Sequence, residues 1–220
     1  MTQRIAQAAN QDPAARPGFV LDFAADGGNT NAATGVAKYP PGDLAIWVFI
    51  LAELLVFGVF FVAYAFARAR NVELFNSMQA TLDSDAGAIN TVLLITASWF
   101  VARAVAAIAE NRRAASADFL LYGILCGVGF IVVKLFEYQA KLSLGINLTT
   151  NSFYMFYLSL TFFHFMHVIL GLVILIAVWR KTRAGGYTAE DHHGMETGAS
   201  YWHMVDLVWI VLFPLVYVMR

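Results

Sequence analysis

Hydrophobic positions in this chain come in long runs rather than short alternations. A transmembrane helix needs about 20 apolar residues, and five segments qualify: 44–66, 89–109, 119–141, 153–179 and 200–219. The fourth run is the longest, so it is expected to tilt or to project into the headgroups. Polar stretches between runs are mostly short, which makes successive helices antiparallel neighbours. The pattern predicts an all-α, polytopic membrane bundle of five transmembrane helices over residues 44–220. Residues 1–43 differ, being rich in Ala, Gly, Asn and Asp with no apolar run of signal-peptide length. They read as a flexible cytoplasmic tail, with ordered docking on a partner as the alternative. Tyr39-Pro40-Pro41-Gly42 breaks the chain before the first helix, and Asp43 is placed to cap it.

Composition narrows the class. The 220 residues are 60% hydrophobic and 13% charged, against about 45–50% and 25% for a soluble domain. A net charge of −1 excludes nucleic-acid binding through a basic surface. A single cysteine, Cys126, excludes a disulfide framework and a thiolate metal cluster. Basic residues set the orientation. With the N-terminus cytoplasmic, Arg4, Arg16, Lys38, Arg112, Arg113, Arg180, Lys181 and Arg183 lie inside. Arg68, Arg70, Lys141 and Arg220 then lie outside. The reading is N-in and C-out. No internal repeat is visible, which speaks against an inverted-repeat transporter.

Candidate chemistry lies in the ionisable groups within the runs, because a charge at mid-membrane costs at least about 2.5–3.5 kcal/mol. Glu53 lies about 14 Å into the first run and His164 about 17 Å into the fourth, at about 1.5 Å per residue. Both are near mid-depth, so they are expected to pair if their helices touch. Glu53 then acts either as packing glue or as a proton-exchanging group, and desolvation favours its neutral form. His164 and His167 share a helix face. No further ligand of comparable depth completes a metal site, and none is expected. Lys134, Glu137 and Tyr138 close the third run. Lys134 and Glu137 can pair at i,i+3 as an interfacial structural pair or a relay, and Lys134 can snorkel outward. Arg103 and Asp206 match in depth and are opposite in sign, which suggests an interhelical ion pair. The alternative for Arg103 is a lipid phosphate. Tyr201-Trp202-His203 reads as an interfacial aromatic belt. Glu196 precedes it near a helix start, where a carboxylate is favoured, and His192-His193 reads as solvated. No phosphate loop, nucleophile triad or redox-cofactor motif is present.

Several segments in series resemble subunit III of the haem-copper oxidase superfamily. Ile50-Leu51-Ala52-Glu53-Leu54-Leu55-Val56-Phe57-Gly58 looks like that family's Glu-bearing helix. Asn90-Thr91-Val92-Leu93-Leu94, Phe136-Glu137-Tyr138 and Ser152-Phe153-Tyr154 follow, then His164-Phe165-Met166-His167-Val168-Ile169-Leu170-Gly171. Tyr201-Trp202-His203-Met204-Val205-Asp206 resembles the closing helix, and Glu196 its upstream acid. The family's common form has seven helices, whereas five are expected here. Ala97–Val105 and Pro41–Phe49 look closest to the five-helix branch that includes an accessory protein of bacterial nitric oxide reductase. The resemblance implies a non-catalytic subunit in a bacterial inner membrane, packed against a catalytic haem-copper subunit that holds the haem and metal. It also implies phospholipid contacts and no cofactor in this chain. Glu53, His164 and His167 would be its polar core; Arg103, Lys134, Glu137, Tyr138, Glu196, Trp202, His203 and Asp206 would be secondary. A nitric oxide reductase is the expected partner, with an aerobic cytochrome c or quinol oxidase using subunit III for proton uptake as the alternative. A proton-coupled transporter acting alone is the expectation from a different class.

Overall fold

A computed structural model describes residues 44–219. The expectations for residues 1–43, including the cap at Asp43, lie outside the described residues. Six α-helices follow in order: α1 (Leu44–Arg70), α2 (Val72–Gln79), α3 (Ser84–Ala109), α4 (Arg113–Ser143), α5 (Ser152–Arg183) and α6 (His193–Phe213). The last continues as a π-helical turn over Pro214–Val218. All but α2 are long and apolar enough to cross a membrane. The chain is an all-α, five-span membrane bundle.

Two of the helices, α3 and α5, start before their apolar segments at side-chain caps. Asp83 accepts hydrogen bonds from the N–H groups of Asp85 and Ala86, at 3.1 and 3.0 Å. Helix α3 therefore starts at Ser84 instead of residue 89. Asn151 does the same for α5 by accepting from Tyr154 N at 2.8 Å. The short α2 was not expected. It has eight residues, too few to span, and it turns Phe75 inward between Tyr64 and Phe153, with ring centroids 5.4 and 5.6 Å away.

Helices α3, α4, α5 and α6 pack in a ring, each on the next and α6 back on α3. Small residues set the closest approach. Ala97, Val101 and Ala104 of α3 are fully buried, and a Cβ on Gly123 of α4 would meet the Ala97 carbonyl at 3.3 Å. Ser116 then fastens α4 to α3 through its hydroxyl, which donates to Ala104 O at 2.8 Å. Helix α1 lies outside the ring against α5 and α6 and buries only Ile50, Phe57 and Tyr64.

Candidate functional site: polar clusters inside the bundle

The first cluster joins α1 to α5. Glu53 Oε2 lies 3.1 Å from His167 Nε2, and His167 Nδ1 lies 2.8 Å from the Phe163 carbonyl. A carbonyl only accepts, so Nδ1 carries a hydrogen. The other contact then needs one proton between Nε2 and the carboxyl. Either a neutral acid donates to a neutral imidazole, or an imidazolium donates to a carboxylate. Net charge is zero in both forms, which suits a site with the Glu53 and His167 side chains 20% and 10% exposed.

The expected partner of Glu53, His164, faces elsewhere. Its ring lies among Trp209, Phe130 and Phe57, with centroids 5.1, 5.8 and 6.4 Å away. It is fully buried, and neither ring nitrogen has a hydrogen-bond partner among the described residues. Both histidines stand on the inner side of α5, but their rotation about its axis differs. His167 points to α1 and His164 to α4 and α6.

The second cluster holds the Lys134–Glu137 pair expected at i,i+3. Lys134 is fully buried and does not snorkel. Its ammonium donates to Glu137 Oε2 at 3.0 Å and to Tyr217 Oη at 2.7 Å. The other Glu137 oxygen accepts from Tyr157 Oη at 2.5 Å and Tyr217 Oη at 2.6 Å. The rings of Tyr138, Tyr157, Tyr217 and Trp209 surround the ammonium, with centroids 5.2–5.4 Å away. Tyr138 donates to Thr161 Oγ1 at 3.0 Å. The π-helical turn is what delivers Tyr217. It closes with a hydrogen bond from Met219 N to Pro214 O at 2.9 Å, and Gly87 of α3 leaves room for the Phe213 and Tyr217 rings. Tyr157 and Tyr217 were missed from sequence. Tyr157 had a signal, since it shares the α5 face of Thr161 and His164. Tyr217 read as one more aromatic near a membrane boundary.

The third cluster involves Ser98, His203 and Asp206. Ser98 Oγ lies 2.5 Å from His203 Nδ1, and Asp206 is buried. The expected Arg103–Asp206 ion pair does not form: no ion pair among the described residues includes either. Arg103 is exposed, its guanidinium 5.6 Å from the centroid of the Phe119 ring. Depth matched, but Arg103 lies on the outer face of α3.

Glu196 stands in the first turn of α6, where the helix dipole favours a carboxylate. It lies 3.6 Å from His192 Nε2 and 3.4 Å from His193 Nδ1. His193 is exposed, whereas the His192 side chain is only 17% exposed, so the loop pair is not uniformly solvated. Tyr201 and Trp202 are buried rather than forming an interfacial belt. Trp202 fills a slot left by Gly127 of α4 and Gly171 of α5, where an added Cβ would come within 2.8 and 2.9 Å of the indole. Among the described residues no three His, Cys, Asp or Glu side chains group to hold a metal ion.

A five-span bundle with a sparse set of paired polar groups buried between helices defines the structural class. The family model for cytochrome c oxidase subunit III matches residues 42–220, and the chain belongs to that family. It is 32% identical over 177 residues to cytochrome c oxidase subunit 3 of Thermostichus vulcanus, covering 80% of this chain and 86% of that one. With cytochrome c oxidase subunit 3 of Synechocystis sp. it shares 34% identity over 173 residues, 78% and 73% of the two chains. A heme-copper oxidase subunit I+III of Aeropyrum pernix is 29% identical over 182 residues, which are 79% of this chain and 22% of that protein.

These relatives overturn the expectation of a nitric oxide reductase partner, since the oxidase subunit is what the chain resembles. The physical reason for the misreading lies in α3. Ala97 and Val101 lie against Gly123 of α4 and Ala104 O accepts from Ser116, so part of Ala97–Val105 answers to helix packing, a requirement independent of the partner.

Proposed function

We propose that this chain is the non-catalytic third subunit of an aerobic haem-copper cytochrome c oxidase, stabilising the catalytic subunit that holds the haem and copper. The observation that carries this reading is the family match over the whole five-span region. The position of α1 supports it: this helix holds Glu53, yet exposes Leu44, Val48, Leu51, Leu55, Val59 and Val62 along its outer side. The relative named subunit I+III, in which the matching region is part of one longer chain, supports a place beside subunit I. The bacterial relatives favour the inner membrane. The ends of α3 and α5 and the start of α4 gather Arg112, Arg113, Arg180, Lys181 and Arg183 at one end of the bundle. That end is cytoplasmic by the positive-inside rule, giving N-in and C-out.

The test is purification of the tagged full chain from its own membranes in mild detergent. Haem and copper are expected to copurify in fixed ratio to the chain, read by reduced-minus-oxidised spectra and metal analysis. A preparation free of haem overturns the proposal.

Glu53 is a structural acceptor or donor for His167 in this reading. Glu53→Gln retains a hydrogen-bonding group opposite Nε2 and is expected to assemble like the parent. Glu53→Ala strands His167 and is expected to cost about 1–3 kcal/mol, seen as a lower yield of assembled complex. Sustained turnover that decays in Glu53→Gln at normal haem content would instead assign the shared proton a working role.

A further inference from the structure

Tyr154, Tyr157, Tyr217 and Trp209 form a continuous row of oxidisable rings, with successive centroids 6.3, 6.1 and 6.4 Å apart. The row starts near the surface and ends in the core. Thr81 is exposed and donates its one hydroxyl hydrogen to Met78 O at 2.6 Å. The 2.8 Å contact between Thr81 and Tyr154 is therefore donated by Tyr154 Oη. Tyr157 and Trp209, further along the row, are fully buried. Electron tunnelling falls steeply with distance, and rings this close exchange an electron readily. An oxidising equivalent that reaches Tyr154 can travel inward along the row.

Where it stops depends on protons. A buried cation radical is costly, so a phenol loses an electron most easily when its proton leaves with it, and that needs a base within hydrogen-bond reach. Tyr154 faces only the Thr81 hydroxyl. Trp209 Nε1 donates to another hydroxyl, Thr91 Oγ1, at 3.0 Å. Tyr157 and Tyr217 differ, because both donate to the carboxylate oxygen Glu137 Oε1, at 2.5 and 2.6 Å. One contact separates these two. Tyr217 Oη also accepts from the Lys134 ammonium at 2.7 Å, which holds electron density on that oxygen and opposes its oxidation. Among the described residues the ammonium bonds Glu137 and Tyr217 and not Tyr157 Oη.

We propose that Tyr157 is a redox-active side chain, the position at which a one-electron oxidation of this chain settles. An oxygen-centred radical at the surface takes one electron from the row and is reduced to the corresponding oxyanion. Tyr157 supplies that electron. Its phenolic O–H bond breaks and the proton passes to Glu137 Oε1, leaving a neutral phenoxyl radical and a neutral carboxylic acid. The positive charge then resides on Lys134, where the rings of Tyr138, Tyr217 and Trp209, with centroids 5.2–5.4 Å from the ammonium, hold it by cation–π attraction. The cluster thereby stores one oxidising equivalent inside the bundle. This inference does not rest on the identity of the catalytic partner, and failure of the copurification test leaves it standing.

The experiment uses the full chain purified in detergent. A light flash on peroxydisulfate supplies sulfate radicals, ascorbate then quenches protein radicals open to water, and the frozen sample is read by electron paramagnetic resonance. The parent is expected to keep an ascorbate-resistant tyrosyl signal. Tyr157→Phe is expected to lower it at least about tenfold, since the phenol next to the base is gone. Tyr217→Phe is expected to keep it. Lys134→Met/Glu137→Gln sets an amide, which takes up no proton, opposite the phenol and is expected to lose the signal as Tyr157→Phe does. Melting temperatures check that each variant folds. A parent without a resistant signal overturns the proposal. So does a signal at the parent's level in Tyr157→Phe or in the folded double variant, and so does an equal loss in Tyr217→Phe and Tyr157→Phe.

Discussion

Lys134→Met is expected to destabilise the bundle by about 3–5 kcal/mol, the cost of breaking a buried ion pair on one side. Glu137 would keep two tyrosine donors, Tyr157 and Tyr217, but lose the only cation bonded to it among the described residues. A buried carboxylate without a counter-charge must protonate or carry a large desolvation cost. Lys134→Met/Glu137→Gln is the informative control. It removes both charges, keeps an amide oxygen for the two hydroxyls, and is expected to recover most of the loss. The measurement is the melting temperature of the detergent-purified chain for the parent, both single variants and the double. Strong coupling between the two positions supports a charge-balanced cluster. Additive losses would mean that each side chain stabilises the bundle independently.

That cluster also shows where reading the sequence stops. Apolar run length located every span, because lipid demands it. It misplaced helix ends, because α3 and α5 start at polar caps, Asp83 and Asn151, beyond the apolar runs. Helix ends do not account for Lys134: α4 closes at Ser143, close to the expected end at residue 141, and the lysine is inside because α4 turns it towards the interior of the bundle. Depth along a helix fixes only one coordinate of a side chain. It grouped Glu53 with the histidines, yet rotation about α5 decides that His167 rather than His164 meets it. The same missing coordinate produced the false Arg103–Asp206 pair. Tyr217 needed a third kind of information, the π-helical turn after Pro214, for which no simple periodicity exists.

Trp202→Ala is the other substitution expected to be severe, at about 3–5 kcal/mol for loss of a large buried aromatic. The indole is fully buried and touches α4 and α5 at once, through the slot left by Gly127 and Gly171. Those glycines matter here for space, not for backbone freedom. An added Cβ at Gly171 would lie 2.9 Å from indole Cε3, and at Gly127 2.8 Å from Cη2 and 2.7 Å from Leu172 Cδ2. A rigid bicyclic ring cannot move its far edge without moving α6. Gly127→Ala and Gly171→Ala are therefore each expected to cost about 1–3 kcal/mol by overpacking. Trp202→Leu removes the edge that they strike, so Gly171→Ala should cost markedly less in that background. The double-mutant cycle in melting temperature decides between two causes. Strong coupling places the penalty in the Gly171–Trp202 contact. An unchanged cost of Gly171→Ala would mean that the glycine serves α5 alone, and that the close approach of α4, α5 and α6 does not depend on the indole.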